Sequence, residues 1–204
     1  SSPAEFYSWK QLGAFSSDLS VIARFFSRPW TEVVAEMRVM WEEGWLLNEA
    51  AVHLRALGRL SEASEALLRA FELGVAHRDW TNAARRAINH SEIMLILGAT
   101  SKSISDAEAV IAVADLAALQ CHSFVRQTAL ATLANALHQA GRYGDALESF
   151  KKAEAIQAGR QPEFQLLYSV SGFDCCDLIL TSAERGAWRE TLAPTQVAGA
   201  QQVC

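Results

Sequence analysis

Little in this chain of 204 residues breaks a helix, since it holds only 11 glycines and 4 prolines. Long helices can therefore run without interruption. Charge is also sparse: 20% of residues are charged, the net charge is −5, and no stretch concentrates Lys or Arg. A nucleic-acid footprint needs a basic face or strip, so no nucleic-acid partner is expected. With 50% hydrophobic residues, a disordered tail is excluded as well. The longest apolar runs, such as VIARFF and IMLIL, fall far short of the roughly 20 residues that cross a bilayer, so no membrane partner is expected. The start lacks a charged segment followed by an apolar one, so no signal peptide is read there. It opens on Ser-Ser rather than Met, which reads as a fragment or a processed form. The four cysteines, Cys121, Cys175, Cys176 and Cys204, form no C-x-x-C pair, and small buried thiols in a reducing cytoplasm are expected. No segment of useful length alternates with period two, so no sheet is expected.

What the chain does have is a returning phrase. Around Gly58 it reads LRALGRLSEASEALLRAFELG, and around Gly141 it reads LANALHQAGRYGDALESFKKAEAIQ. Aligned on Gly58, Gly98, Gly141 and Gly186, the units are 40, 43 and 45 residues apart. Each predicts an apolar helix, a turn at the glycine, and a second helix whose small residues face back. Glycine suits the turn because helices commonly end on a left-handed residue. Ser61, Glu62 and Asp106 are read as lying near second-helix starts, where acceptors and negative charge are favoured. Before the repeats, Ser17 and Asp18 predict a cap for a helix through LSVIARFF that Pro29 ends. A further helix is expected after Thr31, with Val33, Val34, Met37, Met40 and Trp41 on one face, and Gly44 loosening the chain behind it.

Helical hairpins of this kind cannot bury their apolar faces alone and must stack on copies of themselves. The expected architecture is all-α, an α-solenoid forming a right-handed superhelix. Residues 1–43 would be an N-terminal helical segment that caps the stack or ends a preceding domain. Residues 44–190 would hold about four repeats, the last incomplete, and 191–204 an irregular tail.

The pattern resembles the tetratricopeptide repeat family. In the Gly141 unit Leu130, Leu133, Ala134, Leu137, Gly141, Tyr143, Ala146, Phe150 and Ala153 stand at that motif's spacing. Leu47, Ala50, Ala51, Leu54, Gly58, Leu60, Ala63, Leu67 and Ala70 do so in the Gly58 unit, while the Gly98 unit is degenerate. The phrases WLLNEAAVHLRALGRLSEA and QPEFQLLYSVSGFDCCDLIL are also similar to repeat regions of large bacterial multidomain proteins, some of which carry a signal-transduction NTPase or TIR domain. That resemblance implies a sensing or docking arm, with any catalysis in other domains.

Candidate chemistry is thin. GATSKS at 98–103 lacks the glycine directly before the lysine and follows a helix, so it reads as a repeat turn rather than a phosphate loop. The histidines His53, His77, His90, His122 and His138 fall in no metal-ligand spacing, and neither a metal nor a cofactor is expected. Of the tryptophans, Trp80 and Trp188 are read as packing between hairpins, with Trp9 and Trp30 the more exposed. In the family that the repeats resemble, the first helix of each unit lines a concave groove. Carried over by the glycine register, that face holds Asn48, Val52 and Arg55, then Arg85, Asn89 and Glu92, then Asn135, His138 and Gln139. Phe173 and Asp177 continue the row. Asparagines on successive helices can each hold a peptide amide through donor and acceptor together, while Arg55 and Arg85 could hold one acidic group.

The expected function is therefore a non-enzymatic module that binds a protein or peptide segment in the groove. Self-association through an open end of the stack, giving a homo-oligomer, is the alternative within binding functions. An enzyme using a Cys or His not visible from spacing is the alternative outside them.

Overall fold

The computed structural model describes Ser8 and residues 12–35, 43–116 and 123–192. Trp9, Met37, Met40, Trp41, Cys121, His122 and Cys204, together with the tail after residue 192, lie outside them, as does most of the helix expected after Thr31. The described elements run α1 (Phe15–Ile22), a 3-10 turn (Ala23–Phe25), β1 (Phe26–Arg28) and β2 (Glu32–Val33). Then follow α2 (Glu43–Ala56), α3 (Leu60–Ala76), α4 (Trp80–Ile96), α5 (Thr100–Leu116), α6 (Ser123–Gln139), α7 (Tyr143–Arg160) and α8 (Ser169–Leu192). Each helix from α2 onward packs on the next in sequence, and α4–α6 and α6–α8 touch as well. This is the all-α solenoid of stacked hairpins.

The turns share one geometry. Gly58, Gly98 and Gly141 have φ between 74° and 78°, in the left-handed region. At Gly58 the glycine amide donates to Arg55 (3.0 Å) and the next amide, of Arg59, donates to Leu54 (2.9 Å), which satisfies carbonyls at the helix end. The same pair of bonds recurs after α4 and α6. It also recurs after α3, where the left-handed residue is Arg78 at φ 58°. The turns at 58, 78 and 98 thus repeat every 20 residues. The structural unit is one helix of 17 residues and a short turn, seen in both α3 and α4.

Alanines let the helices approach closely. Ala50, Ala63, Ala66, Ala70, Ala83, Ala84, Ala107, Ala129, Ala134, Ala136, Ala146 and Ala153 are fully buried at the crossings. Between them sit larger side chains with no exposed surface, Leu47, Leu54 and Phe150 among them. Truncating any one to alanine would cost about 2–5 kcal/mol.

Several expectations give way here. No sheet was expected, but β1 and β2 form a short antiparallel hairpin with Phe26 opposite Val33. Pro29 does not end a helix but occupies that hairpin's turn, where Trp30 takes φ 61°. Trp30 is buried, at 5% exposure: its ring meets Phe26 edge-on at 5.6 Å, and its Nε1 donates to Glu62 at 2.9 Å. Burial of a large ring holds a conformation that tryptophan alone disfavours. α1 starts at Phe15, ahead of the expected Ser17 cap. Gly186 is no turn: α8 runs through it for 24 residues, and Trp188 beyond it is 63% exposed. Asp106 lies in the interior of α5 rather than at its start. Of the two described cysteines, Cys175 is buried and Cys176 is exposed.

Gly44 does not loosen the chain either, since it lies in α2. A Cβ there would stand 2.6 Å from the Arg86 guanidinium. Arg86, itself buried, also donates to the Ala70 carbonyl at 3.0 Å. It thereby braces α2, α3 and α4 together.

Candidate functional site

The even-numbered helices α4 and α6, and α6 and α8, contact one another directly. These even-numbered helices form the row that carries most of the residues expected to line the groove. Two cavities open along it. One, of ≈ 230 Å³ between α2 and α4, is lined by Trp45, Asn48, Glu49, Asn82, Arg85, Arg86 and Asn89. The other, of ≈ 150 Å³, is bounded by Arg55, Glu92, Leu95 and Ile96 on one side and by Thr132, Asn135, Val170 and Asp174 on the other.

The first cavity brings Asn48, Arg85 and Asn89 together. Arg85 is exposed and has no ion-pair partner among the described residues. Glu49 sits half-buried beside it, and burial pushes its carboxyl up, partly offset by His53 and by a hydrogen bond from Asn48. The second cavity brings Arg55, Glu92 and Asn135 together. Arg55 already has an acidic partner within the chain, since its Nη1 reaches Glu92 across the helices at 2.7 Å. Asn135 hydrogen-bonds Asp174, whose carboxyl is pushed up by burial first and then by the neighbouring Glu92 and Asp177.

The remaining expected residues stand apart from both cavities. Val52 is half-buried on α2, and Gln139 is exposed at the end of α6. Phe173 is 77% exposed on α8. His138 is a packing residue instead of a groove residue: it is 7% exposed and its Nε2 meets Thr181 Oγ1 of α8 at 2.9 Å. Its Nδ1 lies 3.6 Å from Asp177. Asn82, Asp174 and the apolar rim of Leu95, Ile96 and Val170 were missed. Asn82 was readable, since it stands seven residues before Asn89 and so on the same helix face.

Outside the groove, Ser64, His90 and Asp106 form a chain across α3, α4 and α5. Ser64 Oγ lies 2.9 Å from His90 Nε2, and His90 Nδ1 lies 2.8 Å from Asp106, which also pairs with Lys102 at 2.5 Å. The order matches a nucleophile, a base and its orienting acid. Yet Ser64 stands on a helix, where the neighbouring Ala63 amide is given to the Arg59 carbonyl instead of to an oxyanion. What the chain does is fasten three helices through satisfied polar contacts.

No family model and no curated protein matches this sequence. Solved structures do match it in fold. Crystal structures of nearly identical TPR-like repeats from Podosopora anserina, of a protein named for kinesin light chain, superpose with a TM-score of 0.60 at 18% identity, covering 90% of this chain and 86% of that one. A single-substitution variant of that protein gives 0.62 over the same shares, again at 18% identity. The chain therefore has a TPR-like repeat fold. Among its described residues, no helix is long and apolar enough to cross a membrane.

Proposed function

We propose that this chain is a protein-interaction module whose inner face, along α2, α4, α6 and α8, binds an extended segment of a partner protein. One observation carries the reading: Asn48, Arg85 and Asn89, from two successive inner helices, line a single open cavity. Stacked helices hold these groups in place before binding, which limits the ordering entropy lost when a partner arrives. Side-chain amides suit the main chain of an extended peptide, which presents donors and acceptors in alternation. Replacing Asn89 and Asn135 together by alanine is expected to abolish partner capture with the helical circular dichroism intact. Capture that survives the double substitution would sink the reading. In a larger bacterial signalling protein this face would be the docking arm.

Self-association is a second reading, favoured by the exposed apolar side chains of α8. Phe173, Ile179, Leu180 and Trp188 are exposed there at 77%, 61%, 52% and 63%. Large apolar patches of that kind mark interaction sites. Light scattering across a concentration series decides it: a mass that rises with concentration and reverts in Phe173→Asp/Leu180→Asp supports association, and a strictly monomeric mass removes it.

A further inference from the structure

We infer that the cavity between α4, α6 and α8 is an anchor pocket for one cationic side chain, lysine or arginine, of the bound segment. The inference rests on the groove reading above and adds the chemistry of the partner.

Two carboxylates line the cavity, Glu92 and Asp174, and Arg55 supplies the lining cation. Arg55 is paired with Glu92 at 2.7 Å, so among the described residues Asp174 has the amide of Asn135 as a partner and no cation. Asp174 is half-buried and stands near a third carboxylate, Asp177. Across from Asp177, at 3.6 Å, lies the buried Nδ1 of His138, an atom with no hydrogen-bond partner among the described residues. The empty cavity therefore carries a net negative charge that its own residues leave uncompensated. Burial in a medium less polar than water makes that arrangement costly, and makes a cation placed there correspondingly favourable.

Shape points the same way. Leu95, Ile96 and Val170 give the cavity apolar walls around its carboxylates. Lysine and arginine lay a methylene stem along apolar surface and carry the charge at the tip. The volume of ≈ 150 Å³ is comparable to cavities that accept a benzene molecule, which suits one long side chain and not a whole domain edge. An acidic side chain would meet Glu92 and Asp174 directly and be repelled, so the pocket discriminates as well as attracts. Along α4, Arg85 and Glu92 are seven residues apart, or about 10 Å at 1.5 Å per residue. A polyproline II segment advances about 3.1 Å per residue with three residues per turn. A peptide with an acidic residue against Arg85 would thus place its basic residue about three positions away.

Selection of phage-displayed random peptides on the immobilised full chain tests this, followed by fluorescence anisotropy on the enriched sequences. The enriched peptides are expected to share a lysine or arginine. Replacing it by norleucine, or introducing Asp174→Asn, should each weaken binding by at least about tenfold, and the two together by little more than either alone. Binding through this contact should also weaken with added salt. Asp174→Asn removes an uncompensated charge, so its melting temperature should not fall, which separates lost binding from lost folding. Peptides without a shared basic residue that lose binding in Asn48→Ala/Asn89→Ala would overturn the anchor and leave the groove standing. Peptides indifferent to both sets of substitutions, or no enrichment at all, would overturn the groove and the anchor with it.

Discussion

The two ends of the stack are built differently. At the N-terminal end, Leu19, Phe26, Trp30 and Val33 close over α2 and α3 and join one core with Leu46, Leu47, Leu54 and Leu67. Glu62 of α3 is shared between the Trp30 indole and the Arg59 guanidinium, which itself lies over the Trp30 ring at 5.7 Å. At the C-terminal end, α8 buries Cys175 and Leu178 against the stack and leaves Phe173, Leu180 and Trp188 in solvent. A solenoid needs each end covered by something polar on its outer side, or by a further element. Among the described residues, a short helix and a hairpin bury large side chains against the first helices of the stack, whereas the last helix leaves several of its own in solvent.

The largest test of that contrast compares the two tryptophans. Trp30→Ala should cost about 3–5 kcal/mol and lower the melting temperature by on the order of 10 °C for a chain of this size. Trp188→Ala should stay within about 0.5 kcal/mol. Equal losses would mean that the C-terminal end is covered in solution. The glycines give a second, smaller contrast. A Cβ on Gly44 meets Arg86 at 2.6 Å, whereas one on Gly186 meets nothing. Gly44→Ala should therefore destabilise by about 1–3 kcal/mol, and Gly186→Ala, inside a helix, should stabilise by about 0.5–1 kcal/mol; urea denaturation reads both.

The smallest effects are in pH dependence. Asp174 and Glu49 both have carboxyls pushed above their ordinary values, chiefly by burial. The folded state then holds the proton more tightly than the unfolded one. Each contribution to stability is fully present below the unfolded value and is lost as pH rises through the raised folded value. Glu92 and Asp177 reinforce the shift at Asp174, while His53 and Asn48 oppose it at Glu49. Asp174→Asn and Glu49→Gln should each accordingly flatten the fall in stability across the carboxylate range. Melting curves taken from acidic to neutral pH check this, and an unchanged slope in either variant would refute it for that residue.

Much of the fold was legible because its causes are local. Gly58, Gly98 and Gly141 announce left-handed helix ends, and the spacing of Leu and Ala marks the faces that pack. The turn at Arg78 escaped notice because a non-glycine residue holds the left-handed conformation there. The 20-residue interval from Gly58 and to Gly98, and Asp79 as a side-chain acceptor for the Asn82 amide, were the available signals. Gly186 misled for the opposite reason. A glycine following an apolar helix resembles a terminator, yet nothing near it forces the chain to turn. The hairpin of residues 26–33 was invisible because its strands have three and two residues, too short for alternation to show.

The candidate site divides along the same line. That Asn48, Arg85, Asn89, Glu92 and Asn135 stand along one row of helices follows from helical period and repeat register, both properties of the sequence. Which of them are free to act was decided by the angle and offset between helices. Those set Arg55 against Glu92, turned His138 into the stack toward Thr181, and brought Asp174 beside Asn135. Propensity and periodicity act within one helix, while a charge acquires its partner only from the neighbouring helix. The sequence by itself therefore determined the repeat and the row of helices that carries these residues, and the tertiary structure alone decided which of their charges are paired.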